Sequence, residues 1–249
     1  MRRLLEADMK RVVAKVLPWI FLVAACVYVA ADLKIGIGSA PDRVFFFLEK
    51  IERHNQIVLL IAGFAALIGI YADEFKSMSM ITVIGRGISR EKFVLAKFLD
   101  TCILALQIEI LTVVYVMILK AAFGVSLTAL ETEHLVLVFI MGYIETIASV
   151  SVAAIFYFLS ENAAIGMFAY IIFDAIIPVT LELVLAMGNV AKYHPERFFI
   201  SGMAESAITN FLLGDFALGL LYVLAELAVY VCCAVLITVL IFRKKELNF

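Results

Sequence analysis

Charged side chains are scarce in this sequence: Asp, Glu, Lys and Arg make up only 17 % of its 249 residues. An ordinary soluble domain carries about 25 %. Other scarcities narrow the reading further. Four prolines and 13 glycines leave no room for a flexible linker or a low-complexity segment. The four cysteines, Cys26, Cys102, Cys232 and Cys233, all fall inside apolar runs without zinc or redox spacing. They read as small buried hydrophobes, and a secreted disulfide scaffold is excluded. No G-x-x-x-x-G-K-[ST] phosphate loop occurs, so the chain cannot hydrolyse ATP by itself. With Lys plus Arg at 20, Asp plus Glu at 22 and a net charge of −2, there is no basic footprint for nucleic acid.

What the sequence has instead is apolar surface. Hydrophobic residues reach 65 % and the mean hydropathy is +1.07. A soluble fold of this length leaves roughly a quarter to a third of its surface wet, so the apolar excess must face something other than water. These properties describe an all-α polytopic membrane protein and exclude a soluble enzyme.

Crossing about 30 Å of hydrocarbon takes about 20 largely apolar residues in a helix. Six stretches qualify: Val16–Leu33, Gln56–Ala72, Phe93–Leu119, Leu135–Leu159, Ala163–Met187 and Phe216–Phe242. They read as one transmembrane domain over 1–249. Pro178 should kink the fifth span by releasing the carbonyl of Asp174. Ser160, Glu161 and Asn162 alone separate spans four and five, which predicts a tight helical hairpin. The runs are too long, and lack the period-2 alternation, for a membrane barrel.

Basic residues set the expected orientation. Arg2, Arg3, Lys10, Arg11 and Lys15 precede span one. Lys76, Arg86, Arg90, Lys92 and Lys97 surround the connection from span two to span three, and Arg243–Lys245 follow span six. All these clusters share one side if both termini are cytoplasmic. The opposite loops, about 34–55, 120–134 and 188–215, are expected to hold short helices and turns. The leader contains Glu6 and Asp8, unlike a signal peptide's positive n-region, so span one reads as a permanent anchor.

Two segments on the basic side stand out. Residues 3–16 read as an amphipathic interfacial helix: Leu5, Met9, Val12 and Val16 form its apolar face, with Glu6, Lys10 and Arg11 opposite. The segment 73–92 joins spans two and three. Asp73 is placed to cap a short helix with an apolar face of Phe75, Met78, Ile81 and Ile84. Gly85, Arg86 and Gly87 then break it, and Ser89 can cap span three with Glu91 in its first turn. A short helix held between two spans suits docking into a groove of a soluble partner, though an ordinary surface loop helix would look the same.

Glu74-Phe75-Lys76 after span two, Gly87-Ile88-Ser89-Arg90, and Lys97 at the head of span three resemble the membrane subunits of ABC transporters of the ABC-2 type. The six-span layout, the N-terminal interfacial helix and the Pro195 segment before the last span extend the resemblance over nearly the whole chain. Ser77-Met78-Ser79 departs from it where the family often has glycine. The resemblance implies a permease half in a bacterial cytoplasmic membrane. It would pair with a second permease chain, identical or similar, and bind cytoplasmic ABC ATPase subunits that carry the ATP and magnesium. Asp73, Glu74, Phe75, Lys76, Met78, Ile81, Arg86 and Arg90 would then form the ATPase-coupling segment. This chain would need no cofactor of its own and would be no enzyme.

Six acids lie within the expected spans: Asp100, Glu109, Glu145, Asp174, Glu182 and Glu226. Each costs about 2.5–3.5 kcal/mol at mid-helix and wants a partner or a wet cavity. Asp100 stands three residues from Lys97, and Glu182 lies near an interface. Glu109, Glu145, Asp174 and Glu226 sit near mid-span with no basic residue at their depth. They are candidate pathway residues favouring a cationic or amphipathic cargo, such as a peptide or antibiotic. They would serve equally as helix-packing groups bonded to Ser, Thr or Tyr, beside small residues such as Ser149, Ser151, Ala163 and Gly166. His54, His134 and His194 fall in the expected loops, and Trp19, Tyr28 and Tyr71 read as interface markers. A second function class is an ion- or proton-coupled secondary transporter or channel, which would show broken helices at matching positions of internal repeats.

Overall fold

The computed structural model describes residues 6, 9–10, 12–72, 79–187 and 195–245, and among them it contains helices and no strand. Six are long and apolar enough to cross a membrane, starting at Val16, Arg43, Arg90, Ala129, Ala163 and Phe216. The all-α polytopic reading therefore holds. In hydrocarbon each backbone N–H and C=O must find its partner within its own helix, so uninterrupted apolar runs become helices whatever their side-chain period. The outward faces are paved with residues such as Ile20, Phe21, Leu106, Ile110, Leu220 and Leu240.

Spans two and four form the centre of the bundle. In their most apolar windows 56 % and 61 % of residues are buried, against 17 % for spans one and five and 22 % for span six. Span two begins at Arg43, not at Gln56. Its N-terminal half carries Glu49, Lys50, Glu52, Arg53, His54 and Asn55, which hid it from a search for apolar runs. It is nevertheless amphipathic, because Phe47, Ile51 and Val58 turn inward. Asp42 caps it by accepting bonds from the N–H groups of Val44 and Phe45. Span four likewise begins at Ala129, with Thr128 and Glu131 completing a reciprocal capping box. Most of the expected 34–55 loop is thus helix, and the expected 120–134 loop shrinks to a short turn. Lys50 of span two pairs with Asp32 of span one at 3.1 Å, and Arg43 donates to the carbonyl of Phe123 at 3.0 Å.

The hairpin between spans four and five is tight, as expected. Glu161 takes a left-handed conformation (φ 54°) and Asn162 caps the next helix. Span five then packs closely on span two. Tyr170, wholly buried, donates to the Leu59 carbonyl at 3.1 Å and stands edge-on to Phe64. A Cβ at Gly63 would lie 2.1 Å from the Tyr170 ring, so glycine sets how near these spans come. Before span six the helix Ile200–Leu212 buries Ile200, Met203, Ala204 and Ala207, and its packing partners include Met141 and Ile144 of span four.

At the other end of the bundle lie Lys15, Arg90 and Lys245. Val12 is buried and packs over Gly69 of span two. The chain breaks at Lys15, whose backbone is extended, and its ammonium donates to the Ile68 carbonyl at 2.9 Å. Val16, expected on the leader's apolar face, instead opens span one and is exposed. The leader therefore docks on span two through Val12. Of the connecting segment, residues 73–78 lie outside the described residues, as does the Ile81 side chain. A helix covers Ser79–Gly85, Gly87 follows with φ 90°, and Ser89 caps span three by accepting from the Lys92 N–H.

Three smaller expectations change. Cys232 and Cys233 are exposed on the bundle surface rather than buried, because their side of span six faces outward. Tyr71 is buried and packs edge-on against Tyr157 and Phe158. His54 is buried in span two and His134, on the span-four helix, pairs with Glu52 at 3.3 Å; neither is a loop residue, and His194 lies outside the described residues.

Gly63→Ala should destabilise the protein by about 1–3 kcal/mol, the usual cost of overpacking. Gly38→Ala, where an added Cβ meets nothing, should change it by about 0.5 kcal/mol or less. Unfolding of the two variants in detergent micelles checks the difference.

Candidate functional site in the membrane interior

The sequence supplies four mid-span acids, and the fold sorts them. Glu145 lies mid-way along span four, Asp174 mid-way along span five and Glu226 in span six. Phe173 and Leu227, their chain neighbours, pack in one apolar cluster with Tyr143, Ile147 and Ala148 of span four. The carboxyls accordingly act on one another: Asp174 on Glu145, and Glu145 on Glu226. Glu226 is fully buried, and among the described residues neither of its oxygens has a hydrogen-bond partner. Glu145 and Asp174 are half-buried.

Glu109 does not belong to this group. It is buried in span three with the Asn55 amide of span two beside it. His54 is buried one residue away on span two, its ring 6.0 Å from that of Tyr115. The charged residues around Asn55 and His54 resemble a loop in sequence, which conceals both as interior polar groups. The helical spacing of the apolar Phe47, Ile51 and Val58 is the signal that places them in a helix.

Local backbone irregularity marks the same cluster. Span five contains a π-helical turn at Ile172–Ile176, where the Ile177 N–H reaches the Ile172 carbonyl five residues back. Asp174 sits inside it. Pro178 cannot donate to the Asp174 carbonyl, and the helix widens into this π turn where that bond is missing. Span six has a second such turn at Leu227–Cys232, immediately after Glu226. A third, Leu67–Ala72, lies where Lys15 and Tyr157 meet span two. A π turn rotates the side chains around it out of regular register, and such turns recur at functional sites.

Ser149 lies one turn beyond Glu145 on the same face. Its hydroxyl lies beside the Asp174 carboxyl, to which it can donate, and the residue is fully buried. Tyr170 faces both Asp174 and Glu145, and Tyr230 faces Glu226. Ser151 and Gly166 are also buried, Ser151 returning its hydroxyl to the Ile147 carbonyl at 2.7 Å and Gly166 lying against Tyr157. The site is thus a set of carboxyls among phenol rings and apolar side chains. Among the described residues no three His, Cys, Asp or Glu side chains come together as a metal ion requires.

Most of the other residues that the sequence singles out belong to the basic end. Arg90 donates to the carbonyls of Phe242, Arg243 and Lys245, and its guanidinium lies over the Phe242 ring. Arg86 is exposed. Lys97 and Asp100 are both fully buried one turn apart on span three. The Glu182 side chain and Asp73, Glu74, Phe75, Lys76 and Met78 lie outside the described residues.

Because Glu145 and Asp174 share one site, Glu145→Gln and Asp174→Asn should be non-additive, with a coupling of about 0.5–3 kcal/mol. Glu145→Gln combined with Glu109→Gln should add to within about 0.5 kcal/mol. A double-mutant cycle on unfolding in micelles measures both. In comparisons with known proteins, no family model and no curated sequence matches this chain.

Proposed function

We propose that this protein is the membrane-spanning half of an ATP-driven exporter of the ABC-2 type, coupled to ATPase subunits on separate chains and paired with a second permease chain. The observation that carries the reading is the clasp at the basic end. The short helix Ser79–Gly85, flanked by spans two and three, leads directly into Arg90. Arg90 in turn holds the last carbonyls of span six. Lys245, at the end of that span, donates to the carbonyls of Phe158 and Leu159 and pairs with Glu161 at 3.0 Å, at the end of span four. A push on the connecting segment is thereby delivered to spans four and six, which carry Glu145 and Glu226. With the basic end in the cytoplasm, an ATPase would act on Asp73–Arg90 and the acids would line the path of an amphipathic or cationic cargo.

The Glu145–Asp174–Glu226 cluster also favours a second reading, a secondary transporter driven by an ion gradient. Transport by reconstituted vesicles lacking any ATPase would decide for it and against the exporter. Within the exporter reading, Phe75→Asp or Met78→Asp should abolish co-purification of the ATPase subunit without preventing membrane insertion. Arg90→Ala should retain the ATPase subunit but lose cargo-stimulated ATP hydrolysis. Normal ATPase association in both Asp variants would remove 73–92 as the coupling segment.

A further inference from the structure

We propose that the crevice between the N-terminal leader and spans one to three holds one acyl chain of an anionic phospholipid. The lipid comes from the leaflet at the basic end, and the leader's cations select its headgroup.

The crevice is walled by Val12 of the leader, Trp19 and Leu22 of span one, Ile61 of span two, and Leu104 and Ile108 of span three. Its lining side chains carry a single polar group, the Trp19 indole N–H, which is spent on the Val13 carbonyl at 3.0 Å. A polar ligand would find no side-chain partner inside, whereas hydrocarbon needs none. Trp19, Leu22 and Ile61 are half-buried, so part of each remains accessible from outside the bundle.

The ties around this space decide the shape of its occupant. Toward the far end, Tyr115 of span three donates to the Cys26 carbonyl of span one, and Lys50 of span two pairs with Asp32 at 3.1 Å. Toward the basic end, Val12 packs over Gly69 and Lys15 donates to the Ile68 carbonyl at 2.9 Å. Spans held at both ends leave no room between them for a helix about 10 Å across, and a single acyl chain is far thinner.

Charge then selects the lipid. Before span one the leader carries Arg2, Arg3, Lys10, Arg11 and Lys15 against only Glu6 and Asp8. The Lys15 ammonium serves the Ile68 carbonyl, while Lys10 is exposed just ahead of Val12. A phospholipid whose chain enters beside Val12 has its phosphate at the level of these cations. Each cation near a membrane surface favours an anionic headgroup by roughly fivefold.

Trp19 is the only tryptophan of the chain and lines the crevice, so its fluorescence reports the occupant. The test places the full chain in phosphatidylcholine vesicles with increasing fractions of phosphatidylglycerol brominated on its acyl chains, a contact quencher of tryptophan. Saturable quenching is expected, with phosphatidylglycerol favoured over equally brominated phosphatidylcholine by roughly fivefold or more. Lys10→Gln combined with Arg11→Gln should remove that preference. Ile61→Phe, which fills the crevice from a half-buried position, should abolish the saturable quenching. Ile110→Phe, at an exposed position of span three, should leave it intact. Equal quenching by the two lipids, a preference that outlasts the double variant, or unchanged quenching in Ile61→Phe would each overturn the proposal. Trp19 that neither lipid quenches would also overturn it, by showing a protein segment in the crevice. No ATPase or cargo enters the measurement, so its outcome is separate from the exporter reading.

Discussion

A carbonyl released from a helix inside a membrane has no water to turn to, and this protein answers several such releases with a side-chain donor from elsewhere in the chain. Where span two widens into a π turn, Lys15 takes the Ile68 carbonyl and Tyr157 takes that of Tyr71. Where span six ends, Arg90 collects the last carbonyls, and where span four ends Lys245 does the same. Tyr115 of span three reaches the Cys26 carbonyl of span one. These bonds add direction to side-chain packing, which by itself gives little preference for one neighbour over lipid. The order of the bundle rests on them.

This use of donors explains the uneven electrostatics of the interior. Arg43, Arg90 and Lys245 hold carbonyls at helix ends, and Lys50 and Arg243 hold carboxylates there. The mid-span acids of spans four, five and six receive none of them. Two π turns place those acids on a common site. An assembly concerned only with packing would gain stability by replacing three such carboxyls with apolar groups. Their cost is understandable if they meet something the chain does not itself contain.

Much of the fold was legible because a membrane helix announces itself by composition: all six spans, the 160–162 hairpin, the break at Gly85–Gly87 and the Ser89 cap could be read directly. The starts of spans two and four were obscured by charged residues that sit at the bundle's end, where polarity is tolerated. Of the site, depth was legible and company was not. Sequence places Glu109 and Glu145 alike at mid-span, but only helix rotation tells which acids meet. Asn55 turns toward Glu109, whereas Glu145 turns toward Asp174. The same limit hid the exposure of Cys232 and Cys233, since an apolar run does not say which of its faces is covered.

Those two cysteines have a practical consequence. They stand on the outer surface of span six, at the close of the π turn that begins beside Glu226, and the other two cysteines are only partly exposed. A thiol-reactive spin or fluorescent reporter would therefore attach next to the mid-membrane carboxyls without any engineered residue. The native chain thus carries its own reporter positions on the segment of span six that follows Glu226.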